Sequence, residues 1–572
     1  MYKLGKDCDD DCEIAILGTL ALSKPILDKL RVAEIIDRLA PANPQQEYSH
    51  GQVLTALLAA RLDAPRALMN VAEWAANTHA EIMLGIPADK LNDDRLARSL
   101  DVLFDIRHSL TAAVVAEAMR WTGILPDRIH YDPTHITFYG RYDDSKPRSK
   151  SATCRSDSKL PAAHLTRGYN GDVCIQLGIA AYVDDIGAMP IAVHCYDGNR
   201  NGHSGIHDQM ELLRKHHKPL SDNALIISDR GTFSAEHLRV LKKHDQAALC
   251  AAPWNDYRRL FDEQRTRLNW QKASFLSQEQ QRRRDSNSSL PQDDYRLAVV
   301  KHTIAADKPE LAVPVRVIFV HSSAGEREEK ERREENIVKI REGLKELAAK
   351  LTRGHPQSTS ASIQKQAVRL LGKRDAGKFF NWHLTPLNEA ELAALPAPRK
   401  GFTRPTHRLE WTFDANAAQS ANIYDGVSVL VTTAPITWNA DQLFTQYKRQ
   451  CYVERMHHQL KTPLGVSPVF LKTAHRVEAL IHLLTLALIA QQAAERVYRQ
   501  RSSTASTISQ TSKRDRTTAD QLWSAFKTSS ALLRHEQDDI IVHPASLNYR
   551  ATEILNRLVL QSPRASIAMR TG

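Results

Sequence analysis

Cysteine is scarce: the 572 residues hold seven, an odd number, and the closest pair, Cys8 and Cys12, has three residues between rather than the usual two. This usage argues against a disulfide framework and points to reduced thiols in the cytosol. Long hydrophobic runs are missing as well, since no uninterrupted apolar stretch reaches the roughly 18 residues a membrane span needs. The opening MYKLGKDCDDDCEIAIL carries acids where a secretory signal carries bases, so neither export nor insertion is expected. Neutrality is also absent. Lys and Arg number 77 against 66 Asp and Glu, a formal charge of +11, which suits an anionic partner such as DNA.

With 42% hydrophobic residues, the chain is long enough for three or four domains with ample core. Residues 1–125 read as an all-α domain for DNA binding or dimer contact, with apolar residues at helical spacing in PILDKLRVAEIIDRLA and SHGQVLTALLAARL. Ser49 and Gln52 there have capping-box spacing. Over 126–253 the texture turns to short β-rich runs: RIHYDPTHITFYG, VCIQLGIAAYV and MPIAVHCYDG. Helix IHDQMELLRKHH, strand ALIISD, helix SAEHLRVLKKH and strand AALCAAP follow. The order β-β-β-α-β-α-β is the ribonuclease H plan, so the expected fold is α/β with a mixed five-stranded sheet and flanking helices.

Residues 254–424 read as a mixed β/α insertion domain, whose run EREEKERREEN alternates in charge as a solvated helix face does. Residues 425–500 return to the core with strand GVSVLVTTAP and a long helix from about Asp441. The last segment, 501–572, reads as a polar linker and a small helical tail.

Asp132 lies in the first candidate strand and Asp229 ends the fourth, neighbouring positions when the two strands run parallel at the centre of such a sheet. Carboxylates this close repel each other and are ordinarily neutralised by a divalent cation, and hard oxygen donors suit Mg²⁺ or Mn²⁺. A third acid comes from YKRQCYVERMHHQLK, where Tyr447, Glu454 and Lys461 are spaced by seven and return to one stripe of a helix. Core stripes are apolar, and this one is not.

These segments resemble the bacterial insertion-sequence transposases of the aspartate-aspartate-glutamate type whose last motif reads Tyr, two residues, Arg, three residues, Glu, six residues, Lys. The first motif resembles HYDPTHITFYG, the second ISDRGTFSAEHL, and the third YKRQCYVERMHHQLK followed by VSPVFLKTAHRVEALIHLL. The resemblance implies that Asp132, Asp229 and Glu454 bind two divalent ions and that Tyr447 and Lys461 lie near DNA phosphates. It further implies double-stranded DNA as partner, both terminal inverted repeats and target, and a homodimer on paired ends. One position departs: Gln450 stands where the pattern has Arg, with Arg449 beside it as a second candidate for that phosphate. Related enzymes hold a flipped base on an aromatic near the insertion, a role for which Trp254 is the candidate.

Two further patterns carry less. GKRDAGK, from Gly372 to Lys378, has the spacing of a phosphate-binding loop, but Phe379 stands where Ser or Thr would hold Mg²⁺. His203 and His207 are one helical turn apart, and two ligands do not make a zinc site. The rival functions are a stand-alone nuclease of the same fold, which would cut without joining, and a DNA-binding relic of a transposase, which Gln450 alone favours.

Overall fold

The computed structural model describes residues 12–138, 161–168, 171–200, 202–216, 224–277, 280–281, 293–305, 309–353, 359–372, 375–395, 397, 400–402, 404–462, 464–465, 471, 473–505, 517–536, 539–543, 547–560 and 566–567. It is a mixed α/β protein. A short strand β1 (Cys12–Ile16) precedes helices α1 (Leu20–Lys29), α2 (Val32–Leu39), α3 (His50–Asp63), α4 (Val71–Asn77), α5 (Ala80–Leu84) and α6 (Asp93–Thr122). The expected capping box opens α3: Ser49 Oγ accepts from Gln52 N at 3.1 Å, and Gln52 Oε1 accepts from Ser49 N at 3.0 Å.

The central sheet takes β2 (Arg128–Thr137), β3 (Thr166–Arg167), β4 (Val173–Val183) and β5 (Ala188–Asp197). After α7 (Gly202–His216) come β6 (Leu225–Ser228), α8 (Ala235–Lys243), β7 (Ala247–Ala252) and α9 (Trp254–Gln264). Strand β4 is antiparallel to both β5 and β2, and β2, β6 and β7 run parallel in that order. The parallel strands are buried on both faces, as their unbroken apolar runs require.

The sheet does not stop at the five expected strands. It continues through β13 (Val427–Thr432), β10 (Val313–Ser322), β9 (Tyr295–Ile304) and β8 (Gln271–Lys272), all antiparallel, making ten strands with β3. The physical reason is the free edge of β7: Leu249 to Ala252 have partners in β13, whose inner residues are as apolar as theirs. Three strands of 254–424, β8, β9 and β10, are thereby part of the main sheet. The rest of that segment forms a satellite with its own core: helices α10 (Ser323–Thr352) and α11 (Ser360–Gly372), strand β11 (Phe380–Pro386), α12 (Glu389–Ala394), β12 (His407–Phe413) and α13 (Ala415–Ser420). The charged first half of α10 is solvated as its alternation suggested, and its buried residues, Ile340, Leu344, Leu347 and Leu351, all fall in the second half.

The expected long helix is two, α14 (Ala440–Lys448) and α15 (Gln450–Lys461), because Arg449 breaks it. Arg449 N donates to Gln446 O, and Tyr452 N to Arg449 O, so bonds spanning three residues replace the α-helical pattern there. Helix α16 (Ala474–Ala505) then runs through the middle of the protein against α6, α3 and β5. Among the described residues it is one helix long and apolar enough to cross a membrane, and its apolar window is wholly buried by protein. The N-terminal region is not purely helical and the tail not purely a linker with helix. After α17 (Ala519–Ser524), strand β14 (Ser530–Glu536) pairs with β1, β15 (Asp539–His543) joins β14, and β16 (Ser566–Ile567) follows helix α18 (Tyr549–Leu558) to complete a four-stranded sheet. Strand pairing between the two ends gives β1 the backbone partners that it lacks among the helices.

One buried ion pair ties α6 to α16. Arg107 Nε donates to Glu478 Oε1 at 2.6 Å with both side chains 1% exposed, and Ala163 N donates to Glu478 Oε2 at 2.9 Å. Glu478→Ala leaves a buried guanidinium uncompensated, so chemical denaturation is expected to show a loss of about 3–5 kcal/mol. The double change Arg107→Met, Glu478→Leu is expected to cost much less, and equal losses would contradict the pairing.

Candidate active site

The parallel registry of β2 and β6 builds the site. Tyr131 lies opposite Ser228, so the next residues along, Asp132 and Asp229, are neighbours on adjacent strands roughly 4.8 Å apart. Asp229 caps the turn that follows it: its Oδ1 accepts from Thr232 N at 3.1 Å, which fixes the carboxylate's direction. Helix α15 lies across this edge, burying Val453, Met456 and Leu460 and leaving Glu454 exposed.

Electrostatics tie the three acids together. The Asp132 carboxyl is pushed up to about 7, first by burial and then by Asp229 and Glu454, with Lys461 opposing. Tyr447 is pushed up to about 12 by burial and by Asp229, Cys250, Asp132 and Glu454, so its phenol faces the same pocket although it belongs to α14 and not to the helix of Glu454. Lys461 Nζ donates to Thr134 Oγ1 at 2.6 Å, and Thr134, two residues along β2, shares the face of Asp132. Five of the residues singled out in the sequence are therefore brought to one place.

Arg449 and Trp254 are engaged elsewhere. Arg449 forms an ion pair with Asp185 in the β4–β5 turn, whose carbonyl also accepts from Tyr452 Oη at 3.3 Å. Its neighbour Gln450 opens α15, half-buried. Trp254 begins α9, three residues beyond the β7 position level with Asp229. Its ring meets Phe261 and Tyr424 edge-on at 5.3 and 5.8 Å and lines a cleft of about 960 Å³ with Arg258 and Arg333. Phe379, where the phosphate-loop pattern has Ser or Thr, is buried in the satellite core, and residues 373 and 374 of GKRDAGK lie outside the described residues. The side chains of His203 and His207 lie outside the described residues.

Sequence reasoning missed His457. It is buried, its Nδ1 stands 3.7 Å from Asp132 Oδ2, and burial followed by Lys461 brings it down to about 4, so it is neutral at physiological pH. The signal was present: His457 lies three residues after Glu454 and four before Lys461, on their helix face.

The chemistry of the donor set fits a divalent cation. Three carboxylates crowd one another enough to raise Asp132, and hard oxygen donors are what Mg²⁺ or Mn²⁺ takes. Their ligand atoms are less tightly gathered than those of a separate buried group, His108, Glu478 and His482, which lie within 4.8 Å of one another around the Arg107 ion pair.

A parallel strand pair offering two acids in register, with a third on a crossing helix, defines an α/β protein built round a polyacidic centre. Residues 149–490, more than half of the chain, match the transposase DDE domain, and the chain belongs to that family, whose members are generally dependent on divalent metal. Asp229 and Glu454 fall inside the match, and Asp132 precedes it. Residues 12–115 match a domain of unknown function, DUF4277. No curated protein matches the chain. Among solved structures it is similar to the Mos1 transposase paired-end complex with left transposon end, at 14% identity and a TM-score of 0.14, covering 36% of this chain and 60% of that one.

Because Asp132 has a raised pKa in the folded state, ionising it costs stability. That cost is absent below its unfolded value of 3.8 and grows as pH rises towards about 7. In EDTA, Asp132→Asn is therefore expected to gain melting temperature over the wild type progressively from pH 4 to 7, and Mn²⁺ to shrink the gap by stabilising the wild type alone. A gap independent of pH would refute the crowding.

Proposed function

We propose that this protein is the transposase of an insertion sequence, which cuts DNA at the element's terminal inverted repeats and joins the freed ends to target DNA. The carrying observation is the in-register pair Asp132 and Asp229 coupled to Glu454. The strand order β5-β4-β2-β6-β7 supports a ribonuclease-H-like core. The spacing of Tyr447, Gln450, Glu454 and Lys461 supports the Tyr-Arg-Glu-Lys subgroup, with Gln in place of Arg.

Asp132, Asp229 and Glu454 would hold two Mg²⁺ or Mn²⁺ ions, which when bound supply Lewis-acid activation of the attacking and leaving oxygens. The chain's own groups do the rest. His457, neutral and 3.7 Å from Asp132, packs beside that carboxylate without adding charge to it. Tyr447 keeps its proton and can donate it in a hydrogen bond to a phosphate oxygen. Lys461, anchored on Thr134, faces the anionic backbone with a positive charge. Water attacks phosphorus in line, a P–O bond breaks, and a 3′-hydroxyl is freed. That hydroxyl then attacks a target phosphodiester, so no covalent protein intermediate is needed. Cutting two ends in concert calls for a homodimer on paired ends, acting in the cytosol.

With Mn²⁺ or Mg²⁺ and labelled duplexes carrying the flanking inverted repeats, metal-dependent cleavage at the repeat boundary and joining to a plasmid are expected. Asp132→Ala, Asp229→Ala and Glu454→Ala are expected to abolish both while retaining duplex binding, and unchanged cleavage would refute the assignment. Cutting without joining would mark a stand-alone nuclease. A second reading, a DNA-binding relic, is favoured by Gln450 together with the commitment of Arg449 to Asp185. Gln450→Arg separates the two: in a working enzyme it is expected to raise cleavage about tenfold, the equivalent of ~1.4 kcal/mol from a charge-assisted contact, whereas a relic stays inactive. Trp254 is the aromatic we assign to a flipped base, and ordinary end cleavage by Trp254→Ala would dismiss it.

A further inference from the structure

Helices α6 and α16 share more than the Arg107 ion pair. His108 on α6 and Glu478 and His482 on α16 each offer one ligand atom, and the three atoms lie within 4.8 Å of one another. Glu478 and His482 are four residues apart, on one helix face, and the His482 ring meets that of His108 edge-on with centres 5.1 Å apart. None of the three residues is more than 2% exposed.

The hydrogen bonds around them hold these groups from behind. Thr111 Oγ1 donates its single proton to Arg107 O at 2.8 Å, so towards His482 Nδ1, 3.3 Å away, it can only accept. His482 therefore carries its proton on Nδ1. Burial, with Arg107 and His194 beside it, holds this ring well below the usual histidine range, so it is neutral and Nε2 keeps a lone pair. That Nε2 is enclosed and has no hydrogen-bond partner. A buried acceptor in this state costs stability unless a donor or a cation meets it. His194 of β5, its ring centre 5.4 Å from that of His108, likewise has an enclosed Nδ1 without a partner.

Glu478 is oriented by Arg107 Nε on Oε1 and Ala163 N on Oε2, and a carboxylate's roughly four lone-pair sites are not exhausted by such bonds. Arg107 does not depend on Glu478 alone. Its Nη1 donates to Phe104 O at 2.7 Å, and its guanidinium lies 3.9 Å from the Phe104 ring centre. The carboxylate can thus be shared with a second cation.

We propose that His108, Glu478 and His482 bind one structural ion of the Zn²⁺ class that fastens α6 to α16, with His194 as its fourth ligand. Imidazoles with one carboxylate are a donor set that zinc takes, unlike the all-oxygen set of Asp132, Asp229 and Glu454. Ligands about 2.0–2.1 Å from a tetrahedral ion stand roughly 3.3 Å apart, so modest side-chain rotations draw the atoms in. The ion is captured as the two helices pack during folding and, being enclosed, is slow to leave. Nothing in this site depends on the DNA chemistry proposed above.

The test is to produce the full chain in medium supplied with Zn²⁺, with Co²⁺ or with neither, dialyse the folded protein against EDTA, and measure its metal content and melting temperature. About one zinc or cobalt per chain is expected to survive dialysis, to raise the melting temperature over protein made without metal, and, for cobalt, to give visible absorption bands. His482→Gln and His108→Gln are each expected to lose the retained metal and the bands and to melt as the metal-free wild type does. Asp132→Asn should keep both, which separates this site from the three carboxylates. No retained metal in the wild type would overturn the proposal, as would equal retention in folded His482→Gln, or retained metal that leaves melting unchanged. Should both histidine variants fail to fold, X-ray absorption of the zinc-loaded wild type decides: scattering from at least two imidazoles is expected, and a shell without imidazole would overturn the assignment.

Discussion

Parallel pairing of β2 with β6, Tyr131 opposite Ser228, is the constraint on which the site depends. It forces two carboxylates that repel each other onto adjacent strands, and the sheet can hold them there because its interior is apolar on both faces. The strain shows in Asp132, whose carboxyl is raised by burial and by its two acidic neighbours. Around that pair the remaining groups take places that only make sense beside it: a lysine tethered to Thr134, a neutral histidine, and a phenol kept protonated.

Holding the sheet rigid is the work of the helices on one side. Helix α16 is apolar nearly all round and would satisfy a membrane in composition, yet α6, α3 and β5 enclose it. Two of its acids are matched inside, Glu478 with Arg107 and Glu495 with Arg499, each at 2.6 Å. The N-terminal helices are thus packed on the core that carries Glu454, and Gly465 touching Pro65 brings them to the end of its helix.

Much of this was legible without coordinates. Alternation and turn residues marked the strands and capping spacing marked α3, whereas the polar stripe of Tyr447, Glu454 and Lys461, read as one helix face, falls on two helices. What escaped was of one kind. Nothing local in YRLAVVKHT or VPVRVIFVH says that they extend the main sheet and do not form a separate one, since strand pairing is a property of edges brought together in space. The break at Arg449 was also hidden, because a run of good helix formers gives no sign that Asp185, 264 positions away, will hold its guanidinium.

Local patterning determined the order of the main strands and helices over residues 126–253 and singled out Asp132, Asp229 and Glu454 as a candidate set, because helix and strand periods and side-chain chemistry are written in neighbouring residues. Tertiary structure decided which groups became neighbours: His457 against Asp132, Arg449 with Asp185, and β1 with β14. The physical reason is that desolvation and Coulomb forces depend on distance through space. A residue's charge is fixed by its type, but what that charge costs or does is fixed by whatever the fold sets beside it.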